Sequence, residues 1–162
     1  MNIRPAQEED VAPILDFWNP IIRDTTVSFA NDEHTPETLL TLILSRRAQG
    51  NEFLVACDAD EVLGLATYSQ FRSNTGYRRT VEHTIILAPE ARGRGVGRRL
   101  MAAIETHARV AGHHSIFAGV SGENDAGIAF HAAVGYVEVA RLREVGWKFD
   151  RWLDLVLMQK ML

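Results

Sequence analysis

The stretch between Arg79 and Gly112 limits this chain more than any other. It opens with RTVEHTIILA, an apolar alternation that predicts a strand, and Pro89 ends it. RGRGVG follows at residues 92–97. Beyond it Val96, Leu100, Ile104 and Ala108 step by four, which predicts a helix with Gly112 as its stop. Strand, glycine turn and helix in that order form a unit of an α/β protein, and the turn is a natural anion site. The first amides of a helix have no intrahelical acceptor, the helix dipole favours negative charge there, and glycine lets the backbone come close. Arg92, Arg94, Arg98 and Arg99 add charge-assisted donors for phosphate oxygens.

Several phosphate motifs can be separated on spacing. A P-loop needs Gly-Lys-Ser/Thr, whereas Gly97 precedes Arg98 and Arg99. The dinucleotide fingerprint needs G-x-G-x-x-G near a first strand, and Gly93, Gly95 and Gly97 give G-x-G-x-G deep in the chain. An arginine-glycine tract for nucleic acid would sit in a disordered tail. The pattern that fits is [Q/R]-x-x-G-x-G, with Arg92, Gly95 and Gly97 in the defined places. Two other motifs fail: GVSGE at Gly119 ends in Glu123 where a nucleophile elbow needs glycine, and adjacent His113 and His114 lack zinc-ligand spacing.

Around this unit the chain predicts the order βααβββαβαββ, a mixed α/β (α+β) sheet with helices on both faces, in one domain spanning residues 1–162. NIRPA is a short first strand, and Val11, Ile14, Leu15 and Trp18 mark a first helix that Asn19-Pro20 is expected to weaken or break. Thr35-Pro36 caps a second helix that ends near Gly50. EFLVACD and EVLGLATYSQF pair around Ala59 and Asp60. In the next strand Thr80, Glu82, Thr84 and Ile86 share one face, and Val81, His83, Ile85 and Leu87 the other. SIFAGVS, NDAGIAFHAAV, GYVEVARL and DRWLDLVLMQKML complete the order. A net charge of -4 argues against a dedicated nucleic-acid binder. One cysteine, Cys57, a polar N-terminus and no long apolar run lead to the expectation of a cytoplasmic protein without a membrane span.

The glycine turn and the element order together resemble the GNAT superfamily of acyl-CoA-dependent N-acetyltransferases over nearly the whole chain. TTVSF at Thr25, FRSNTGYRRTVEHTIIL at Phe71, FHAAVGY at Phe130 and WKFDRWLDLVLMQ at Trp147 are similar to one subgroup. It holds the phosphinothricin and the methionine sulfoximine/methionine sulfone acetyltransferases. The resemblance implies acetyl-CoA as co-substrate, with its pyrophosphate on Gly93, Arg94, Gly95, Val96, Gly97 and Arg98. It also implies that the backbone of Ile85, Ile86 and Leu87 meets the acetyl-pantetheine arm, and that Asn124 bonds the cofactor or else caps its helix. Asp150 departs from the subgroup, which commonly has glycine there, and Ile86-Leu87 replaces a frequent tyrosine-valine pair.

Transfer of acetyl to an amine needs a base for the ammonium, a donor for the thioester oxygen and a proton for the thiolate. Glu82, mid-strand among apolar and threonine neighbours, is the candidate base; the other reading pairs it with an arginine such as Arg79. His131 stands where many relatives have an acidic tyrosine, so it is either a protonated acid or a structural histidine. The resemblance places Arg72, Ser73, Asn74, Glu82, His83 and Thr84 around the acceptor, and Val27 to Phe29 are the candidate apolar wall. Arg72 suits an α-carboxylate or an oxyanion through its guanidinium fork. Trp147, Phe149 and Trp152 either seal a homodimer or lie in the core. No metal is expected, and no cysteine lies in the site to carry an acyl group. Two rival functions remain: a protein or peptide N-terminal acetyltransferase, and an acyl-CoA sensor that would not need Glu82.

Overall fold

A computed structural model describes residues 1–59 and 61–162. The predicted turn at Ala59 and Asp60 falls partly outside them: Ala59 is described, with a left-handed φ of 52°, and Asp60 is not. The elements are β1 (Asn2–Pro5), α1 (Val11–Asp24), α2 (Pro36–Ala48), β2 (Phe53–Asp58), β3 (Glu61–Gln70), β4 (Thr80–Leu87), α3 (Val96–Val110), β5 (Ser115–Ser121), α4 (Asp125–Ala133), β6 (Val137–Lys148) and β7 (Arg151–Met161). Apart from short 3-10 turns, this is the predicted order. The strands form one sheet in the sequence β1-β2-β3-β4-β5-β7-β6.

Two apolar layers hold the sheet. On one face Val81 and Ile116 pack with Leu100, Met101, Ile104 and Ala108 of α3. On the other, Leu65 and Ile86 pack with Ile14, Phe17, Trp18 and Ile22 of α1 and Leu39 and Ile43 of α2. The alternation along β4 therefore sorts its side chains between the layers as the sequence predicts.

Three expectations change. Pro20 does not end the first helix: α1 runs to Asp24 with the proline inside. An interior proline costs about 3 kcal/mol, and the chain beyond it gains two offsetting anchors. Ile22 is buried, and the Asn19 amide brackets His34, donating to its carbonyl and accepting from its N–H, each at 2.9 Å. Second, β6 continues beyond Leu142 to Lys148 through an irregularity between Leu142 and Gly146. Third, Trp147, Phe149 and Trp152 are not core: they are 48%, 51% and 57% exposed on the edge hairpin.

The one parallel pairing in the sheet makes its opening. Residues 80–83 of β4 pair with 115–118 of β5, and the pairing stops there. From Thr84 onward β4 pairs with β3 alone, while residues 119–121 of β5 pair with β7 alone. Alternate backbone N–H and C=O groups along both sides of this gap have no ladder partner.

Candidate active site

A cleft of about 500 Å³ runs through the splay between β4 and β5. Glu82, Thr84 and Ile86 line it from one face of β4, and Gly119, Ser121 and Leu155 from the strands opposite. Trp18 of α1 and Val27, Ser28 and Phe29 of the α1–α2 loop close that side. His83, Ile85, Asn124 and His131 line the side toward α4.

Glu82 sits at the point of divergence, level with Ser69 and Phe117. Burial raises its carboxyl pKa above the usual value, and the Arg72 charge opposes that rise. Arg79 is not its partner. That guanidinium donates to the Gly112 carbonyl at 2.8 Å, at the far end of α3. Gly119 makes room for the carboxylate: a Cβ there would lie 2.6 Å from Glu82 Oε1. A glycine inside a strand signals such close approach, and FAGVS carried that signal in the sequence.

Burial works against the protonated form of His131 that an acid role needs. Burial lowers its pKa, outweighing the Gly127 carbonyl and Glu105, which raise it. Nδ1 lies 2.7 Å from that carbonyl, so a neutral ring carries its proton there and leaves Nε2 as an acceptor. Nε2 is buried and has no hydrogen-bond partner among the described residues. His83 stacks on His131 at 5.1 Å between ring centroids and is held neutral, burial pushing its pKa down to about 3. It therefore stands across the strand from Glu82, on the α3–α4 face, and not beside it.

The other predicted acceptor residues divide. Thr84 and Phe29 line the cleft, and Phe29 rests on Gly146, where a Cβ would come within 2.6 Å of its ring. Arg72 is exposed and not among the residues lining the cleft, though its charge acts on Glu82; its guanidinium lies 5.3 Å from the Phe71 ring centroid, and Phe71 stacks on Phe117 at 4.4 Å. Ser73 and Asn74 are exposed in the turn after β3 and do not line the cleft. Trp18, Ser69, Gly119, Ser121 and Leu155 line it without having been singled out as site residues in the sequence; apart from glycine, their types carry no chemistry that marks them.

The glycine turn has the geometry of an anion cradle. Gly93 and Gly95 take φ of 73° and 74°, a region that favours glycine. The first helical bond accepted by Gly95 comes from Arg99 at 3.2 Å, so the amides of Val96, Gly97 and Arg98 start α3 without intrahelical acceptors. Gly97 packs α3 close to α4, 3.1 Å from Phe130 for an added Cβ. Arg94 pairs with Asp58 at 2.7 Å, and Arg98 donates to the Ala133 carbonyl at 3.3 Å. Ile85 and Leu87 pack toward α3 and Ile86 toward α1, leaving their backbone to border the gap. Asn124 caps α4, its Oδ1 accepting from Gly127 N at 2.9 Å, with the amide nitrogen still available for a ligand. Both readings of that residue are thus compatible.

These residues fit acetyl-CoA. An anion cradle opens onto a strand gap with unpaired backbone and an unpartnered imidazole nitrogen, which suits a diphosphate followed by an amide-bearing arm. Among the described residues no group of three or more His, Cys, Asp or Glu could hold a metal, and no helix is long and apolar enough to cross a membrane.

Comparison with known proteins agrees with this geometry. Residues 15–136 match the model of the acetyltransferase (GNAT) family. The phosphinothricin N-acetyltransferase of Streptomyces coelicolor is 37% identical over 96% of this chain and 92% of its own. An L-methionine sulfoximine/L-methionine sulfone acetyltransferase of Pseudomonas aeruginosa is 37% identical over 98% of this chain and 92% of its own. Among solved structures, a ribosomal-protein-alanine N-acetyltransferase from Brucella melitensis superposes with a TM-score of 0.96 at 36% identity, covering 100% of both chains. The yncA protein of Salmonella typhimurium, solved with its cofactor acetyl-CoA, gives 0.93 at 33% identity, covering 99% of this chain and 92% of its own. By its sequence, its fold and its strand gap, the chain belongs to the acetyltransferase (GNAT) family.

Proposed function

We propose that this protein transfers acetyl from acetyl-CoA to the α-amine of a small free amino acid or analogue, with phosphinothricin, methionine sulfoximine and methionine sulfone as the leading acceptors. The observation that carries the reading is the position of Glu82. Its partly buried carboxylate borders a cleft walled by Trp18, Val27 and Phe29, and feels the charge of the exposed Arg72. A wall of that kind suits a compact amine better than an extended peptide, and Arg72 supplies a fork for an α-carboxylate.

In this reading the acceptor enters on the α1 side of the sheet and the thioester from the α3–α4 side. Bound acetyl-CoA supplies an activated carbonyl carbon. Glu82 takes a proton from the ammonium, directly or through water, and the free amine bonds to that carbon as the carbon–sulfur bond breaks. Backbone N–H groups of residues 84–87 facing the gap stabilise the charge on the carbonyl oxygen. The second amine proton leaves with the thiol, so the neutral His131 accepts a hydrogen bond and need not act as an acid. Cys57 lies on β2, away from the cleft, which supports direct transfer.

The exposed apolar side chains of the β6–β7 hairpin support a homodimer. Val137, Val139, Val145, Trp147, Phe149 and Trp152 lie uncovered on it, and β6 is an edge strand. Such an edge needs cover, and a second copy supplies it. The single cysteine, which can form no internal disulfide, supports a cytoplasmic setting.

Turnover of acetyl-CoA across free amino acids, the three analogues and short peptides tests the proposal. Activity on free amines is the expected result; activity confined to peptides would reject it. Retained turnover after Glu82→Gln would reject the base assignment, and tight acetyl-CoA binding with no turnover of any amine would favour a sensor.

A further inference from the structure

The loop of residues 25–35 provides Val27, Ser28 and Phe29 to the cleft, yet belongs to no strand or helix. What holds it in place is a buried charge. Lys148, at the end of β6, is 3% exposed, and its ammonium donates to the Ile22 carbonyl at 2.5 Å and the Ser28 carbonyl at 2.7 Å. The Ile22 carbonyl belongs to the last turn of α1, where helical carbonyls have no intrahelical donor and the dipole favours a cation. One residue thus closes the helix, fixes the start of the loop and ties both to the edge hairpin.

Two neighbours on the same strand complete the attachment. Phe29 lies against the bare backbone of Gly146, and Asn31 Nδ2 donates to the Trp147 carbonyl at 3.3 Å. Burying a lysine in a surface hairpin is costly, and burial does lower its pKa. Its two hydrogen bonds go to backbone carbonyls, so its geometry fixes the course of the main chain and is independent of loop side chains.

Resting on the reading of the cleft as an amine site, we infer that Lys148 is a positioning residue for acceptor recognition: it holds the Val27–Phe29 wall against the cleft. It touches neither the glycine turn nor the β4–β5 gap, so its effect is confined to one substrate.

Lys148→Met keeps the length and removes both donors and charge. The expected result is a rise of about tenfold in KM for the amine, with KM for acetyl-CoA within about twofold of the parent. Lys148→Gln, which keeps a donor without the charge, should fall between them. A merely structural role would lower the folded fraction and move both substrates together, and that outcome, or an unmoved amine KM in a folded variant, would overturn the inference. Hydrogen exchange on the unmodified protein provides a reading free of folding defects. Amides at residues 27–30 should exchange more slowly than those at the exposed 72–74, and equally fast exchange contradicts the clamp. If the unmodified protein acetylates no free amine, the proposed function fails by itself and the clamp stands or falls on the exchange data.

Discussion

At the scale of single residues, the proposed chemistry turns on the state of the Glu82 carboxyl. Burial raises its pKa and Arg72 holds the rise in check. Removing the cation with Arg72→Gln takes away the lowering influence, so the acid limb of the kcat/KM pH profile should move to higher pH; a move to lower pH would exclude Arg72 as the controlling charge. The same burial has a consequence for stability. A carboxyl whose folded pKa lies above its unfolded value binds its proton more tightly when folded, so stability is fully present below the unfolded pKa and is lost as pH rises through the folded one. Glu82→Gln should therefore cut turnover by about 10²–10⁴-fold while raising the melting temperature at neutral pH. Gly119→Ala acts on position and leaves charge alone. Its Cβ would stand 2.6 Å from Glu82 Oε1, forcing the carboxylate aside, and a displacement near 1 Å can cost about 10²-fold in rate. Steady-state kinetics with acetyl-CoA affinity measured in parallel would check it.

Elements carry a different lesson. β6 and β7 turn on Phe149 and Asp150, with φ of 53° and 55°, between the paired Lys148 and Arg151. A two-residue hairpin turn with both φ positive favours glycine, and an L-residue there costs about 1 kcal/mol. Asp150→Gly should accordingly raise the melting temperature by about 2–4 °C in a chain this long, read by calorimetry; a fall would show that the aspartate makes a compensating contact. The sequence flagged this position as a departure from its relatives, and the structure gives the reason it matters. Other elements were legible because one signal dominated each: Thr35 and Pro36 set the start of α2, and i+4 spacing with Gly112 framed α3. Pro20 misled because local propensity says nothing of the long-range anchors at Ile22 and His34. Lys148 was invisible as a buried pin, since a lysine in VGWKFD reads as an exposed strand residue until tertiary contacts remove its water. The protonation of His131 was equally out of reach, because it depends on α4 being packed against β4.

For the molecule as a whole, the sheet does two jobs at once. Its centre parts between β4 and β5, where the proposed transfer would take place, and its edge leaves apolar surface on β6. If that edge is covered by a second copy, sedimentation equilibrium should give twice the chain mass, and Trp152→Glu should shift it toward the monomer; a monomeric parent would contradict the pairing. The glycine turn, the gap and Glu82 lie in sequence along one path, from α3 through the sheet to the α1 side. A crystal structure of the Glu82→Gln protein with acetyl-CoA would trace that path. The diphosphate should lie on the amides of Val96, Gly97 and Arg98, the pantetheine arm along residues 84–87, and the acetyl carbon opposite residue 82. A diphosphate bound away from α3, or an acetyl group directed out of the gap, would contradict it.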